Sequence, residues 1–294
     1  MGRRTAADFD QELLDLFDGY VHGLMERREF LERAGKFAVA GMTATMLLEA
    51  LTPDYALAAQ VGESDPRVRG EMIEYESAAG HGRVRGYLVR PAADGPRGGV
   101  VVVHENRGLN PYIADVARRV ALAGFTALAP DGLTPVGGYP GNDADGKALQ
   151  ATLDKGKLLE DFIAAFGVLK SDLQSNGTVG VIGFCYGGGV ANAMAVRLAD
   201  LAAAVPFYGS QPPDKDVAKI KAPLLLHYAE LDQRINAGWP AYEAALMANG
   251  KEHTAHIYAG VNHGFHNDTT PRYDRGSAEL AWQRTIAFFK EKLA

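Results

Sequence analysis

Apolar residues recur along the chain with two alternating periods from about residue 68 onward. On both sides of the turn at residues 78–82 every second position tends to be apolar, which predicts a β-hairpin. The four valines 100–103 form a continuous β-branched run, typical of a strand buried on both faces. Helical spacing follows at residues 113–120, with Asn110 as the expected N-cap and Pro111 as the first helical residue.

The same alternation of strands and helices continues to the end of the chain. It predicts strands at 125–129, 179–184, 203–207, 224–228 and 256–258, and helices at 158–169, 190–198, 239–247 and 278–289. Such alternation requires crossover connections, so we expect an α/β fold: a mostly parallel sheet with helices on both faces and the hairpin as antiparallel edge strands. The weakly patterned segments 130–146 and 261–276 directly follow strands, where α/β sheets place ligand sites.

Composition and charge exclude several classes of protein. Of 294 residues, 47% are apolar and 22% are charged, which excludes a disordered chain. The 30 Lys and Arg residues against 36 Asp and Glu give a net charge of −6 without a basic stripe, which argues against a nucleic-acid partner. Cys185 is the single cysteine, so the chain has neither an intrachain disulfide nor a multi-thiolate metal site.

The first 58 residues have a pattern of their own. The chain has no run of about 18 uncharged apolar residues, so the sequence predicts no ordinary membrane-spanning helix. Residues 27–31 read Arg-Arg-Glu-Phe-Leu, and a mildly apolar run then leads to Ala56-Leu57-Ala58. This resembles a twin-arginine export signal cleaved after Ala58, which predicts a leader at 1–58, a single domain at 59–294 and a periplasmic or exported protein. The alternative is an acidic, amphipathic amino-terminal helix that stays on a cytoplasmic protein, since Glu49 interrupts the apolar run.

A glycine-rich turn around Cys185 predicts a nucleophile. Residues 183–188 read Gly-Phe-Cys-Tyr-Gly-Gly between a strand and a helix, the context that gives a G-x-nucleophile-x-G motif its meaning. The following helix directs its amino-terminal dipole at the thiol, which favours the thiolate and a developing oxyanion. The alternative is a buried structural cysteine. Phosphate-loop and dinucleotide motifs are missing from the sequence.

A thiol nucleophile requires a base and an acid that orients it. Asp232 follows the strand at 224–228, and His263 follows the strand at 256–258. Nucleophile, acid and histidine in this order is the chain order of the α/β-hydrolases. Glu230 and His266 are the rival candidates for the acid and the base.

The loop after the four-valine strand begins with His104-Glu105. It does not complete a zinc motif, because the position of the second histidine is Gly108. A glutamate that leaves a buried strand is costly unless it is paired, and this loop is where α/β-hydrolases place their second oxyanion donor. The alternative is that Glu105 and Arg107 only join loops in a salt bridge.

Together, the cysteine turn, the acid, the Gly260-Val261-Asn262-His263-Gly264-Phe265 loop and the strand-end glutamate resemble the dienelactone hydrolase (carboxymethylenebutenolidase) family over residues 72–293. The resemblance implies an α/β-hydrolase fold with Cys185 as nucleophile, His263 as general base and then acid, and Asp232 orienting the imidazole. It also implies three further roles in the same site: Glu105 pairing with the resting cysteine, and the backbone N–H groups of Tyr186 and Asn106 forming the oxyanion hole.

The reaction implied is hydrolysis of a small-molecule lactone or ester through an acyl-cysteine, without a metal or cofactor. The two arginines that hold the substrate carboxylate in dienelactone-specific members are missing from the loops at 129–135 and 263–267. Arg107, Arg234 and Arg272 are candidates to replace them from other loops. The alternatives are a general carboxylesterase or acyl-peptide hydrolase on the same scaffold, and a non-catalytic binding or redox-sensing protein that uses Cys185.

Overall fold

A computed structural model describes residues 4–38, 42–57 and 59–294, with the backbone alone at residue 57. Within these ranges the chain forms one sheet of eight strands. They are β1 (Val68–Ser77), β2 (Gly82–Pro91), β3 (Arg97–Val103), β4 (Thr126–Pro130), β5 (Ser175–Phe184), β6 (Ala203–Phe207), β7 (Leu224–Ala229) and β8 (His253–Tyr258).

The same ranges contain eleven α-helices. They are α1 (Gln11–Val21), α2 (Arg27–Ala34), α3 (Ala44–Leu51), α4 (Pro111–Leu122), α5 (Asp143–Ala151), α6 (Lys155–Lys170), α7 (Tyr186–Arg197), α8 (Asp214–Val217), α9 (Gln233–Asn236), α10 (Trp239–Ala248) and α11 (Arg275–Lys292). Among these helices none has both the length and the apolar character that crossing a membrane requires.

The strand order is β1-β2-β4-β3-β5-β6-β7-β8. β1 pairs with β2, and β2 with β4, in antiparallel fashion, whereas the remaining neighbours are parallel. The predicted α/β fold, with an antiparallel hairpin at one edge of a mostly parallel sheet, is confirmed. Because the strands from β3 to β8 are parallel, their carboxyl ends lie along one edge of the sheet and bring the loops after β3, β5, β7 and β8 together.

The valine run in β3 shows how the sheet is buried on both faces. Val100 and Val102 pack into an apolar cluster with α4 and α11. Val101 and Val103 point the other way, into a second cluster with α6, α7 and α10. Successive side chains of a strand point to opposite faces, so four consecutive apolar residues cover both. The predicted fully buried strand is therefore confirmed.

Helix boundaries follow local capping. α4 begins at Pro111, and the Asn110 side chain accepts a hydrogen bond from Ile113 N at 3.1 Å, as predicted. α5 begins inside the segment 130–146 that lacked a clear pattern. Its polar and small residues carry little periodic signal, and the side chain of Asn142 caps it by accepting from Asp145 N.

Residues 4–38 and 42–57, here called the amino-terminal segment, carry α1, α2 and α3 and have an apolar cluster of their own. Phe30 is fully buried in it, with its ring centroid 6.2 Å from that of Phe17 and 5.3 Å from that of Tyr20. The arginine pair of the export prediction begins α2. The expected cleavage point after Ala58 lies outside the described residues.

Candidate active site

Cys185 lies at the turn between β5 and α7 in a backbone conformation that side chains rarely adopt, with φ of 57° and ψ of −113°. Its N–H donates a hydrogen bond to the carbonyl oxygen of Phe207 at 3.0 Å, which helps to hold this conformation. The residue is 6% exposed. Backbone strain of this kind persists where the surrounding structure fixes it, and it is concentrated at functional sites.

Glycines make this turn possible. A Cβ atom at Gly183 would overlap the carbonyl oxygen of Gly187, and one at Gly187 would overlap that of Val103. The strand, the turn and the helix therefore approach each other more closely than any side chain allows. This packing presents Cys185 at the carboxyl edge of the sheet.

Two backbone N–H groups beside the thiol are available to a ligand. Tyr186 is the first residue of α7, and Asn106 follows β3. Neither amide N–H has a hydrogen-bond acceptor among the described residues. The positive end of the α7 dipole adds to the attraction that these N–H groups have for a negative oxygen.

Asp232 and His263 form a hydrogen-bonded pair, with 2.5 Å between Asp232 Oδ2 and His263 Nδ1. A carboxylate can only accept, so His263 Nδ1 carries the hydrogen and Nε2 is an acceptor in the neutral ring. Nε2 is buried without a hydrogen-bond partner among the described residues. Burial would raise the pKa of Asp232, but the charge and hydrogen bond of His263 outweigh it and lower that pKa.

The rival acid and base lie in other environments. Glu230 Oε2 accepts from Gly260 N at 2.7 Å and is exposed. His266 is buried with its Nδ1 2.7 Å from the hydroxyl of Tyr112, its ring stacks on Phe184, and burial lowers its pKa well below the usual value. Asp232 and His263 are the pair that the structure brings together.

A second histidine, which the sequence did not reveal, contacts the thiol. His22 directly follows α1, and its Nε2 lies 3.1 Å from Cys185 Sγ. Its Nδ1 lies 2.7 Å from the carbonyl oxygen of Asp18 and 3.2 Å from the Asp18 carboxylate. The edge of its ring meets the ring of His263, with 4.7 Å between centroids. No motif marks His22 in the sequence, since the contact spans 163 residues.

Glu105 is buried beside the site and accepts a hydrogen bond from Asn267 Nδ2 at 3.0 Å. Its carboxylate also lies 3.8 Å from Arg107 Nε. Among the described residues no hydrogen bond joins Glu105 to Cys185. The contact with the resting cysteine that the family resemblance implies stays a prediction.

The three candidate arginines have different surroundings. Arg107 is buried and pairs with Asp143 at 2.7 Å. Arg272 lies 3.3 Å from Asp18 and stacks over the ring of Phe17. Of the three, Arg234 is the one that lines the cavity containing Cys185.

That cavity has a volume of about 320 Å³ and contains His22, His263 and the thiol in its wall. Lys147, Lys155 and Arg234 also line it, and no carboxylate does so among the described residues. The two lysines were missed in the sequence, because they lie at polar helical positions where a lysine is ordinarily solvated. The cavity is therefore suited to a small anionic molecule.

The site also contains a set of metal-ligand types. One donor atom each from His22, Cys185 and His263 lies within 4.8 Å of the other two. Two imidazole nitrogens and a thiolate are ligands that zinc accepts. An assay of this protein therefore needs a chelator control.

A family model for dienelactone hydrolases matches residues 84–293. The chain belongs to the dienelactone hydrolase family. Membership makes it a hydrolase of the type that acts on lactones or carboxylic esters, on the α/β-hydrolase fold. A second family model, described as YqhI-like, matches residues 1–38 of this dienelactone hydrolase family member.

Full-length relatives agree with the family assignment. Protein usf of Aquifex pyrophilus is 36% identical over 244 residues, which cover 76% of this chain and 99% of that protein. A relative from Saccharolobus solfataricus, with carboxymethylenebutenolidase in its name, is 31% identical over 246 residues, covering 71% of this chain and 94% of that protein.

Solved structures show the same fold. The dienelactone hydrolase-like promiscuous phosphotriesterase P91, from metagenomic libraries, superposes with a TM-score of 0.68 and 25% identity, covering 78% of this chain and 100% of that one. Dienelactone hydrolase from Anabaena variabilis superposes with a TM-score of 0.58 and 21% identity, covering 78% of this chain and 100% of that one.

Proposed function

We propose that this dienelactone hydrolase family member hydrolyses a small lactone or carboxylic ester through an acyl-cysteine, with Cys185, His263 and Asp232 as its catalytic triad. The observation that carries the proposal is the meeting of two features in one cavity. Cys185 is held in a strained turn, and a histidine oriented by a 2.5 Å hydrogen bond to Asp232 leaves its Nε2 without a partner. This is the arrangement of nucleophile, base and orienting acid that acyl transfer uses.

In the first half of the reaction, the thiolate of Cys185 attacks the carbonyl carbon and forms a C–S bond. The carbonyl oxygen becomes an oxyanion, which the N–H groups of Tyr186 and Asn106 stabilise. The C–O bond then breaks, and an imidazole gives the leaving oxygen the proton that the thiol lost. In a lactone this leaving hydroxyl stays attached to the acyl group.

In the second half, His263 Nε2 takes a proton from water, and the hydroxide attacks the carbon of the thioester. The C–S bond breaks, the sulfur recovers a proton from His263, and the acid is released. Asp232 holds the ring with Nε2 toward the cavity and stabilises the imidazolium. The net reaction consumes one water for each ester bond.

The lining of the cavity supports an anionic substrate. Lys147, Lys155 and Arg234 bring positive charge from α5, α6 and α9, although the loops at 129–135 and 263–267 hold no arginine. We therefore propose a lactone or ester that carries a carboxylate, held by these three cations instead of by the two family arginines.

The experiment compares the wild-type protein with C185A and C185S on an activated aryl ester and on a dienelactone, in the presence of a chelator. We expect both variants to lose turnover, and the quenched wild-type protein to carry an acyl adduct on the Cys185 peptide. Because Cys185 is the single cysteine, the position of a thioester adduct is unambiguous. Equal turnover in all three proteins would overturn the proposal by assigning the activity to groups other than Cys185. No turnover in any of them would overturn it in favour of a binding or redox-sensing role.

A further inference from the structure

The hydrogen bonds of His22 fix which of its nitrogens faces the thiol. Nδ1 lies 2.7 Å from the carbonyl oxygen of Asp18, an atom that can only accept. Nδ1 therefore carries a hydrogen, and in the neutral ring Nε2 has a lone pair directed at Cys185 Sγ at 3.1 Å. The His22 side chain is 13% exposed, so little water competes for this contact.

His22 and Asp18 repeat the arrangement of His263 and Asp232. In each pair the Nδ1 atom of the histidine contacts an aspartate carboxylate, and the histidine lines the cavity. The two differ in one respect. His22 Nε2 is hydrogen-bonded to the thiol, whereas His263 Nε2 has no hydrogen-bond partner among the described residues.

We propose that His22 is a second catalytic base, which takes the proton of Cys185 in the resting enzyme and gives it to the leaving oxygen during acylation. His263 then serves the water of the second half of the reaction. This inference rests on the proposed function, since it requires Cys185 to be the nucleophile. The proton count is unchanged: one proton moves from sulfur to His22 Nε2 and then to the leaving oxygen.

The charges of Cys185 and Asp18 favour protonation of His22, and those of His263 and Arg234 oppose it. Burial would lower the pKa of His22, but the negative charge of Cys185 and the hydrogen bond to Asp18 outweigh it and raise that pKa. The positive charge of His263, when present, acts in the opposite direction. Arg234 Nη2 lies 3.1 Å from His22 Nε2 and can only donate to its lone pair, so this guanidinium also opposes protonation of that nitrogen.

Side chains of the catalytic domain bind the backbone just before His22. Asn106 Nδ2 donates to the carbonyl oxygen of Val21 at 2.7 Å, and the ammonium of Lys147 donates to that of Tyr20. Asp18 is fixed in turn by Arg272 at 3.3 Å and Arg234 at 3.2 Å. The end of α1 is thus docked on the cavity, and it is the negative end of the helix dipole, which favours a cation there.

The thiol has His22 rather than Glu105 as its hydrogen-bond partner in this structure. The amino-terminal segment then belongs to the catalytic machinery. Cleavage after Ala58 would remove both Asp18 and His22, so this inference and the predicted cleavage of an export signal exclude each other in the working enzyme. The mass of the amino terminus of the protein from its native host decides between them, and an intact segment is the expected result.

The main experiment measures alkylation of Cys185 by iodoacetamide between about pH 5 and pH 9 in the presence of a chelator, which requires no ester turnover. The variants are H22Q, H22A and, as a matched control, H81Q. His81 also pairs with an aspartate, Asp161, at 2.6 Å and is equally 13% exposed, but it does not line the cavity.

We expect the alkylation profile of H22Q to move upward by about one pH unit or more, while H81Q keeps the wild-type profile. Free imidazole should restore part of the rate at low pH in H22A. In rapid-quench assays H22Q should acylate about 100-fold more slowly, whereas H263Q should form the acyl adduct and fail to release it.

A wild-type alkylation profile and a wild-type acylation rate in folded H22Q would overturn the inference. So would imidazole having no effect on H22A while H22Q is slow, because that result indicates a structural role. Retention of ester turnover by C185A would instead remove the proposed function itself. The two failures are therefore distinguishable.

Discussion

The 2.5 Å hydrogen bond between Asp232 and His263 decides which nitrogen of the imidazole faces the cavity. In D232N the amide can present its NH₂ group to Nδ1, and the ring then carries its hydrogen on Nε2, where a base is needed. We expect kcat to fall by roughly 10⁴-fold with the fold unchanged. Steady-state kinetics of D232N measure this loss.

Glu230 offers the matched control. It lies two residues before Asp232 and accepts from Gly260 N at the surface. E230Q should therefore keep near wild-type kcat. If E230Q instead lost activity and D232N kept it, the assignment of the orienting acid would have to be reversed.

Lys155 is a residue whose effect depends on the charge of the substrate. Lys155 and Lys157 are both exposed residues of α6, but of the two Lys155 lines the cavity and Lys157 does not. We expect K155A to raise KM for a carboxylate-bearing ester about fivefold at low salt. In K155A the KM for a neutral ester of the same size should stay unchanged. In K157A the KM values for both esters should stay unchanged. An equal rise in KM for both esters would contradict an anionic substrate.

At the scale of elements, the turn between β5 and α7 has no room for a side chain at Gly183, because a Cβ atom there would overlap the Gly187 carbonyl oxygen. We expect G183A to lower the free energy of unfolding by about 1–3 kcal/mol or more. It should also displace Cys185 and so reduce its alkylation rate. Denaturant titration measures the stability of this variant.

Gly167 is the matched control for this substitution. It lies inside α6, and a Cβ atom there would meet nothing within 4 Å. G167A should stabilise the protein by up to about 1 kcal/mol, since alanine favours the helical backbone. Loss of stability in G167A equal to that in G183A would mean that glycine replacement, rather than crowding at the turn, is responsible.

The elements that the sequence predicted well are those with a strong apolar period. The valine run in β3 and the capped start of α4 lie where the pattern placed them. The pattern did not reveal α5, because polar and small residues dominate it, nor the four-residue helices α8 and α9, which are too short to show a period. Local capping side chains, such as Asn142 on α5, define helices of this kind.

At the scale of the whole molecule, three fully buried histidines link stability to pH. Burial lowers the pKa of His104, and it lowers the pKa values of His227 and His266 well below the ordinary value. Above about pH 6.5 these rings are neutral in the folded and the unfolded chain. Below it the unfolded chain binds protons that the folded chain does not, so stability falls as the pH falls.

We expect His227 and His266 each to contribute a slope that approaches about 1.4 kcal/mol per pH unit well below pH 6.5, and His104 to add in the same direction. Denaturant titrations between about pH 5 and pH 7 measure the total slope. H266Q should lower the total slope by the contribution of one proton, about 1.4 kcal/mol per pH unit, whatever its effect on stability at neutral pH. A stability that is flat across this range would contradict the assignment of neutral buried rings.

The site residues that follow a strand were predictable from the sequence. Cys185, Asp232 and His263 each follow a parallel strand, and the sheet topology brings such ends together. Asp18 and His22 could not be found in this way. They lie in a segment that has its own apolar cluster, and their meeting with the site depends on tertiary docking that no local pattern encodes.

The residues whose contacts complete the site are far apart along the chain. His22 and Cys185 are 163 residues apart, and Gln11 and Asn262, which also join the amino-terminal segment to the domain, are 251 apart. During synthesis on the ribosome His22 emerges long before Cys185, and His263 emerges after both. A nascent or truncated chain therefore exposes an ordinary thiol, and its reactivity arises only when the finished polypeptide folds.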